Sequence, residues 1–413
     1  VSAADRLVAE LPLAEQRWYA RREADEVRRR AVDVVPLPPV GAVVVLEVTF
    51  ADGTADLYAV PAAGDRESLR PALPGDGVFA ALGGEPGRPE RALGIDQTHT
   101  SVIAGDAVVK AYRRLAVGIQ PEAEILERLA ETGFAGVPGL RRTVHRDLPD
   151  GRRVSIALVQ DLVTGAPDGW ESLIEPLELA ISTGAQPEIN PDLERIGQAA
   201  GSLHTALATA FGTRISNTAL TRGWRSLAVT RLHETLAVLP DGERSELEAL
   251  APRIERELAG LDAAKAPITR IHGDLHVAQF LRTPAAVLVV DFEGDPLLPV
   301  EARRQPASPM WDLACLLRSL DHVARSAQVR CAGRGADGTM LMDAWIPAAQ
   351  EAVLSGYETG LGDARLVLDR PLLRRLAIAK ELGEFAYAAR HLPSWLYAPV
   401  MGMRWLMRDD ASL

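Results

Sequence analysis

Apolar residues along the first third of the chain gather in short runs broken by turn residues. Ala42–Phe50 and Ala55–Val60 are rich in Val, Leu and Tyr and flank Asp52-Gly53, a pair suited to a tight hairpin turn. Thr100–Ile103 and Ala107–Tyr112 flank Ala104-Gly105-Asp106 in the same manner, and Val154–Val159 predicts a further strand. Residues 4–30 read as a helix broken near Pro12, with Arg28, Arg29 and Arg30 beside Glu23, Asp25 and Glu26 on a solvated face. The stretch QPEAEILERLAETG predicts a helix with Pro121 in its first turn and Gly133 near its end. From about residue 192 the spacing becomes helical, over "DLERIGQAAGSLHTALATAF", 242–262, 342–356 and 371–390. In that half only Phe280–Arg282 and Val287–Val290 read as strands.

GEPGRPE, residues 84–90, marks a boundary rich in Gly and Pro. The expected plan is an N-terminal β-rich cap over 1–93, a strand-and-helix lobe over 94–163 and a large helical lobe over 164–413. A length of 413 residues fits two or three such units. Hydrophobic residues make up 47% and aromatic ones only 5%, so Ala, Val and Leu must build the core. A formal charge of -11 offers no general attraction for nucleic acid. Cys315 and Cys331 form no CxxC pair, which argues against a disulfide framework or a zinc site. The N-terminal stretch has no apolar signal core, and no apolar run is long enough for a membrane span. The expectation is a cytoplasmic protein, a monomer or weak homodimer, that uses neither membrane nor nucleic acid.

The chemistry concentrates in RIHGDLHVAQFLRTPAAVLVVDFEGDP, Arg270–Pro296. A short strand ending in Asp291 presents a carboxylate at a cleft edge, and Asp274 stands on an earlier loop. Asp291 and the amide oxygen of Gln279 are hard ligands suited to magnesium, which keeps part of its shell for phosphate oxygens. Asp274 would accept the proton of an attacking hydroxyl. These are the parts of a phosphoryl-transfer site. His272 and His276 have a spacing that could serve zinc on a helix, but Gly273 between them argues against a regular helix, and His272 reads as a packed anchor. Lys110 lies on a strand and could reach nucleotide phosphates if a carboxylate of the next helix, Glu122, Glu124 or Glu127, holds it.

HGDLHVAQ followed by DFEGDP resembles the aminoglycoside phosphotransferase and choline kinase branch of the protein-kinase-like fold. The nearer likeness is to actinobacterial maltokinases and maltokinase-like glucosamine kinases. LPLAEQRWYARR resembles their N-terminal cap signature, and HTSVIAGDAVVKAYRRLAVGIQPEAEI their phosphate loop, nucleotide lysine and following helix. EARRQPASPMWDLACLLRSLDH and KELGEFAYAARHLPSW resemble the stretch after DFE and the sugar-binding C-terminal helix. The resemblance implies an α+β, bilobal fold of the eukaryotic-protein-kinase and aminoglycoside-phosphotransferase type. It also implies ATP and magnesium as cofactors. Asp274 is then the base, and Gln279 and Asp291 hold the metal. Lys110 contacts the α and β phosphates. Glu124 holds that lysine by alignment, although the helical wheel favours Glu122. Thr98, Thr100 and Ser101 cover the phosphates. Gln160 to Leu162 form the adenine hinge, and Asp312 braces the catalytic loop.

The C-terminal helix carries the specificity argument. Against the maltokinase pattern, Gly383 replaces a tyrosine, Ala388 an acid and His391-Leu392 an Asn-Arg pair, which suits a ligand smaller than a disaccharide. Glu381 appears beside Glu384, and carboxylates favour an amine. The implied substrate contacts are Asp274, His276, Glu381, Glu384, Tyr387 and Trp395. The sugar favoured is glucosamine, phosphorylated at the 6-hydroxyl, with maltose as alternative acceptor. An aminoglycoside phosphotransferase or a sugar-sensing pseudokinase fits less well. The first would not explain the RWYARR cap, and the second would have no need of the full set Lys110, Asp274, Gln279 and Asp291.

Overall fold

The helix expected over residues 4–30 stops at Glu10. A capping box between Ser2 and Asp5 opens α1 (Ala3–Glu10), and Pro12 follows directly on its C-terminal cap. The chain then extends into β1 (Glu26–Leu37), antiparallel to β2 (Gly41–Phe50). Arg29 and Arg30, expected on a helix, therefore lie on a strand, 2.5 Å from Glu26 and 2.6 Å from Glu47. A long-range ladder against the apolar β2 outweighs the local helix preference of Glu and Arg.

The computed structural model describes residues 2–19, 21–94, 99–166, 168–296, 298–362 and 365–408. They fall into two compact units. The first holds the described residues up to Ala130 with Pro138–Thr164, and the second holds Glu131–Val137 with the described residues from Gly165 onward. The ranges expected for the cap and the strand-and-helix lobe thus share the first unit.

In that first unit β2 turns back through Asp52-Gly53 into β3 (Ala55–Gly64), as the sequence predicts, and β4 (Leu69–Pro71) completes the row β1-β2-β3-β4. Val44, Leu46, Val48, Tyr58 and Val60 of this sheet bury Leu7, Trp18 and Tyr19 from the N-terminal segment. After α2 (Val78–Leu82) come β5 (Glu90–Ala92), β6 (Thr100–Ala104), β7 (Ala107–Ala111), β8 (Arg114–Leu115), α3 (Pro121–Glu131), β9 (Leu140–Asp147) and β10 (Arg153–Asp161). The second sheet runs β5-β6-β7-β10-β9, while β8 pairs with β3. The strand that carries Lys110 is therefore continued by residues belonging to the cap sheet. At the junction the buried Arg113 guanidinium lies 4.5 Å from the Trp18 ring, and burial pushes it down to about 10. This is the structural use of the RWYARR signature.

The second unit is mainly helical: α4 (Glu171–Thr183), α5 (Asp192–Phe211), α6 (Thr218–Val238), α7 (Asp241–Ala259), α8 (Val300–Arg303), α9 (Met310–Ala332), α10 (Thr339–Leu361), α11 (Arg370–His391) and α12 (Tyr397–Leu406). Two small pairs interrupt them. One is β11 (Arg214–Ile215) with β12 (Pro267–Ile268), and the other β13 (Phe280–Arg282) with β14 (Val287–Val289). Helix α9 is buried on nearly every side, so it shows no amphipathic stripe by which a sequence reading would delimit it. Helices α5 and α10 touch backbone to backbone: a Cβ on Gly197 would overlap Val353 O, and one on Gly356 would overlap Glu194 O. That close approach seats His204 and Tyr357 beneath the loop that carries Asp274. No described helix is long and apolar enough to cross a membrane.

Candidate active site

The loop that carries Asp274 is held from below. Asp312, buried near the start of α9, accepts the backbone N–H of His272 at 2.7 Å and of Gly273 at 2.8 Å. His204 Nε2 stands 3.0 Å from the same carboxylate, and its Nδ1 stands 2.9 Å from the Tyr357 hydroxyl. His272 uses both ring nitrogens on the backbone: Nδ1 accepts Asp274 N–H at 3.3 Å, so Nε2 donates to Val290 O at 2.9 Å. It is an anchor, and no nitrogen is left for zinc. Gly273 has φ +90°, and a Cβ there would come within 3.0 Å of Gly294 Cα. The two acidic motifs thus meet backbone to backbone, which only glycine permits at this φ.

Asp274 faces three groups. Lys380 Nζ stands 3.3 Å and the Cys315 thiol 3.6 Å from Oδ1, and His276 Nε2 lies 4.0 Å from Oδ2. Burial alone would raise this carboxyl, but Lys380, His276 and His272 outweigh it and hold it below its ordinary value. Burial pushes the His276 imidazole down and the Cys315 thiol well up, so both are neutral near pH 7. Burial opposes the charge of Lys380, but the acidic groups around it raise its pKa well above the ordinary value. The arrangement keeps one carboxylate ionised beside one ammonium.

Gln279 and Asp291 are brought together as the sequence predicts. The amide nitrogen of Gln279 lies 3.3 Å from Asp291 Oδ2 and 3.0 Å from His276 Nε2. Rotating that amide would turn its oxygen to the same place. Asp291 adopts φ +66°, the one positive value at a non-glycine residue among those described. A carboxylate oxygen of Glu293 lies within 4.8 Å of one of Asp291. Such an oxygen set suits a hard divalent cation, and magnesium fits it.

Two cavities share Asp274, His276, Lys380 and Glu384. One, of about 300 Å³, is walled by Trp170, Trp395, Arg318 and His322. The other, of about 260 Å³, is walled by Arg231, Asp295, Gly383 and Tyr387. His276, Glu384, Tyr387 and Trp395 therefore all reach cavities that Asp274 lines. Glu381 does not. It is fully buried, 2.7 Å from Arg318 and 3.2 Å from His322, turned onto α9. This corrects the expectation that Glu381 touches substrate: it holds two residues that line a cavity.

Lys380 is a site residue that sequence reasoning passed over, as are Asp295 and Arg231 of the second cavity. The signal for Lys380 was present, since it shares a helix face with Leu373, Ala377 and Glu384, a charge within an apolar stripe.

In the first unit Lys110 Nζ lies 3.0 Å from Glu122, which also accepts the Tyr112 hydroxyl at 2.9 Å. Glu122, the acid favoured by the helical wheel, is thus in contact with Lys110. Glu122 points with Ile125, Leu126 and Leu129 into the buried side of α3. Thr100 and Ser101 lie half-buried on β6, and Thr98 lies outside the described residues. At the expected hinge Gln160 donates through Nε2 to Pro138 O at 3.2 Å. The N–H of Leu162 is given to Asp106 O at 3.0 Å. What Leu162 can offer adenine is a carbonyl oxygen or side-chain contact.

Residues 94–349 match the phosphotransferase enzyme family. The chain belongs to that family. Among curated members of similar length, a glucosamine kinase of Streptacidiphilus jiangxiensis is 36% identical over 404 residues, covering 94% of this chain and 88% of the relative. A glucosamine kinase of Mycolicibacterium smegmatis is 33% identical over 382 residues, covering 86% and 94%. A solved glucosamine kinase in complex with glucosamine, ADP and inorganic phosphate superposes with a TM-score of 0.75 at 31% identity, covering 98% of this chain and 99% of that one. This phosphotransferase is α+β with a kinase-like fold, and it is an ATP-dependent carbohydrate kinase.

Proposed function

We propose that the acceptor is glucosamine and the product glucosamine 6-phosphate. The observation that carries this reading is the acid wall of the smaller cavity: beside Asp274 stand Glu384 and Asp295. Lys380 lies 3.2 Å from Glu384 and Arg231 3.7 Å from Asp295, and a wall of carboxylates favours a ligand ammonium through charge-assisted hydrogen bonds. A Cβ at position 383 would come within 2.8 Å of Arg231 Nη1, so a larger residue there would push that guanidinium out of its place in this wall. The small volumes favour one hexose over two.

In this reading Asp274 takes the proton of the 6-hydroxyl. The oxygen bonds to the γ-phosphorus, the bond to the β–γ bridging oxygen breaks, and ADP leaves. Lys380 keeps Asp274 ionised for that task. Lys110, held by Glu122, meets the α and β phosphates. Thr100 and Ser101 cover them, and Gln160 and Leu162 flank the adenine. Gln279 and Asp291 would hold magnesium, which supplies charge neutralisation at the phosphate oxygens when bound. The curated relatives named glucosamine kinases support the choice of sugar.

The test is ADP release across glucosamine, glucose, N-acetylglucosamine, maltose, choline and an aminoglycoside, with the product's phosphorus–proton correlation. Glucosamine should be preferred and phosphorus should couple to the C6 protons. Coupling to an anomeric proton, with maltose outcompeting glucosamine, would restore the maltokinase reading.

A further inference from the structure

A third cavity, of about 200 Å³, continues from the acid-walled one: Arg231, Asp295 and Lys380 line both. Its character differs. Leu220, Trp224, Leu227 and Arg231 recur at helical spacing along one stripe of α6. Trp311, Leu298 and Pro306 stand across from them, and the Trp224 and Trp311 rings meet edge to face at 6.2 Å. Leu227 is 39% exposed, so this stripe is not simply core. It forms an apolar trough leading away from Asp274, with charge only where it joins the sugar cavity and on Arg303, whose guanidinium is turned onto the carbonyl oxygens of Pro296 and Leu298.

We propose that the trough receives an apolar substituent on the anomeric carbon of an amino sugar, so that alkyl and aryl glucosaminides are further acceptors. The proposal rests on the glucosamine reading. The 2-amine and the anomeric carbon are ring neighbours. An amine held by Asp295 and Glu384 therefore turns the anomeric substituent toward the seam that Arg231 and Asp295 form between the cavities. The trough beyond offers aromatic and aliphatic walls and few hydrogen-bonding groups, which suits a phenyl or alkyl group better than a second hexose. The reaction is unchanged: O6 bonds to the γ-phosphorus, the bridging P–O bond breaks with its electrons leaving on ADP, and the O6 proton goes to Asp274.

Glucosamine, methyl β-glucosaminide and phenyl β-glucosaminide are compared as acceptors by ADP release, with the phosphorylated position read by phosphorus–proton correlation. The phenyl glycoside should show a KM about tenfold below the methyl glycoside, the scale of burying part of one ring. Leu227→Asp, at a partly exposed position, should erase that difference and leave kcat/KM for free glucosamine unchanged. Leu298→Asp on the opposite wall should do the same. Turnover of glucosamine alone, equal KM for the two glycosides in the wild type, or inhibition by the phenyl glycoside without product overturns the proposal and leaves the glucosamine reading standing. Turnover of no amino sugar overturns both.

Discussion

Lys380 Nζ stands 3.3 Å from Asp274 Oδ1 and 3.2 Å from Glu384 Oε1, so one buried ammonium joins two carboxylates that line the same cavity. Because Lys380 offsets the burial that would raise the Asp274 carboxyl, the ionised form persists to unusually low pH. The acid limb of kcat/KM should therefore fall below the ordinary carboxylate range. Lys380→Met removes the cation and leaves burial in control, so that limb should move to higher pH. A pH–rate profile for both proteins checks this, and an unmoved limb would detach Lys380 from the base.

Asp274→Asn keeps the shape of the side chain and removes its basicity. Turnover should fall by about 10²- to 10⁴-fold, the range for losing a general base. Nucleotide binding, measured by calorimetry, should be nearly unchanged. Near-normal kcat in the purified variant would take the role from Asp274.

Asp291→Ala should uncouple nucleotide binding from magnesium. In the wild type, ADP affinity should rise when magnesium is added, because the metal neutralises phosphate charge between Gln279 and Asp291. If titration of the variant still shows the full magnesium-dependent gain, the metal assignment fails.

Glu381 is a matter of stability. It is fully buried between Arg318 and His322, and Glu381→Gln would leave part of that charge uncompensated. A loss of about 3–5 kcal/mol in urea unfolding is expected. Burial raises the Glu381 carboxyl, but Arg318 and His322 outweigh it and hold it low, so its contribution is present above the unfolded pKa and fades as pH falls through the folded value. Burial lowers the His322 imidazole, but Glu381 outweighs it and raises it. That contribution is full below the unfolded value of 6.5 and is lost as pH rises through the folded one. A variant as stable as the wild type would show the network to be energetically idle.

Glu384→Gln tests the amine. Preference for glucosamine over glucose should shrink by about 1–3 kcal/mol, the scale of a charged hydrogen bond, with the glucosamine KM rising more than the glucose KM. Equal losses for both sugars would move the amine contact to Asp295.

Features that depend on near neighbours in the chain were legible from residue order. Asp52-Gly53 and Gly105 set their hairpins because their turns need backbone that few residues adopt, and Pro121 opened α3 where its fixed φ suits a helix start. Asp274, Gln279 and Asp291 were legible because a short loop and a two-stranded turn bring them together almost unaided. Only tertiary structure decided the rest. Glu381 and Glu384 are alike in sequence, but packing against α9 buries one while the other faces a cavity. Glu122 meets Lys110 because α3 buries the side on which Glu122 lies with Ile125, Leu126 and Leu129. Arg28 to Arg30 became strand because β2 lay alongside. Lys380 reaches Asp274 across a long stretch of chain, on a helix whose own periodicity says which face is apolar but not what covers it. Local pattern marks the apolar face of an element; the partner of that face, and over residues 26–30 the element itself, is chosen by burial of the whole chain.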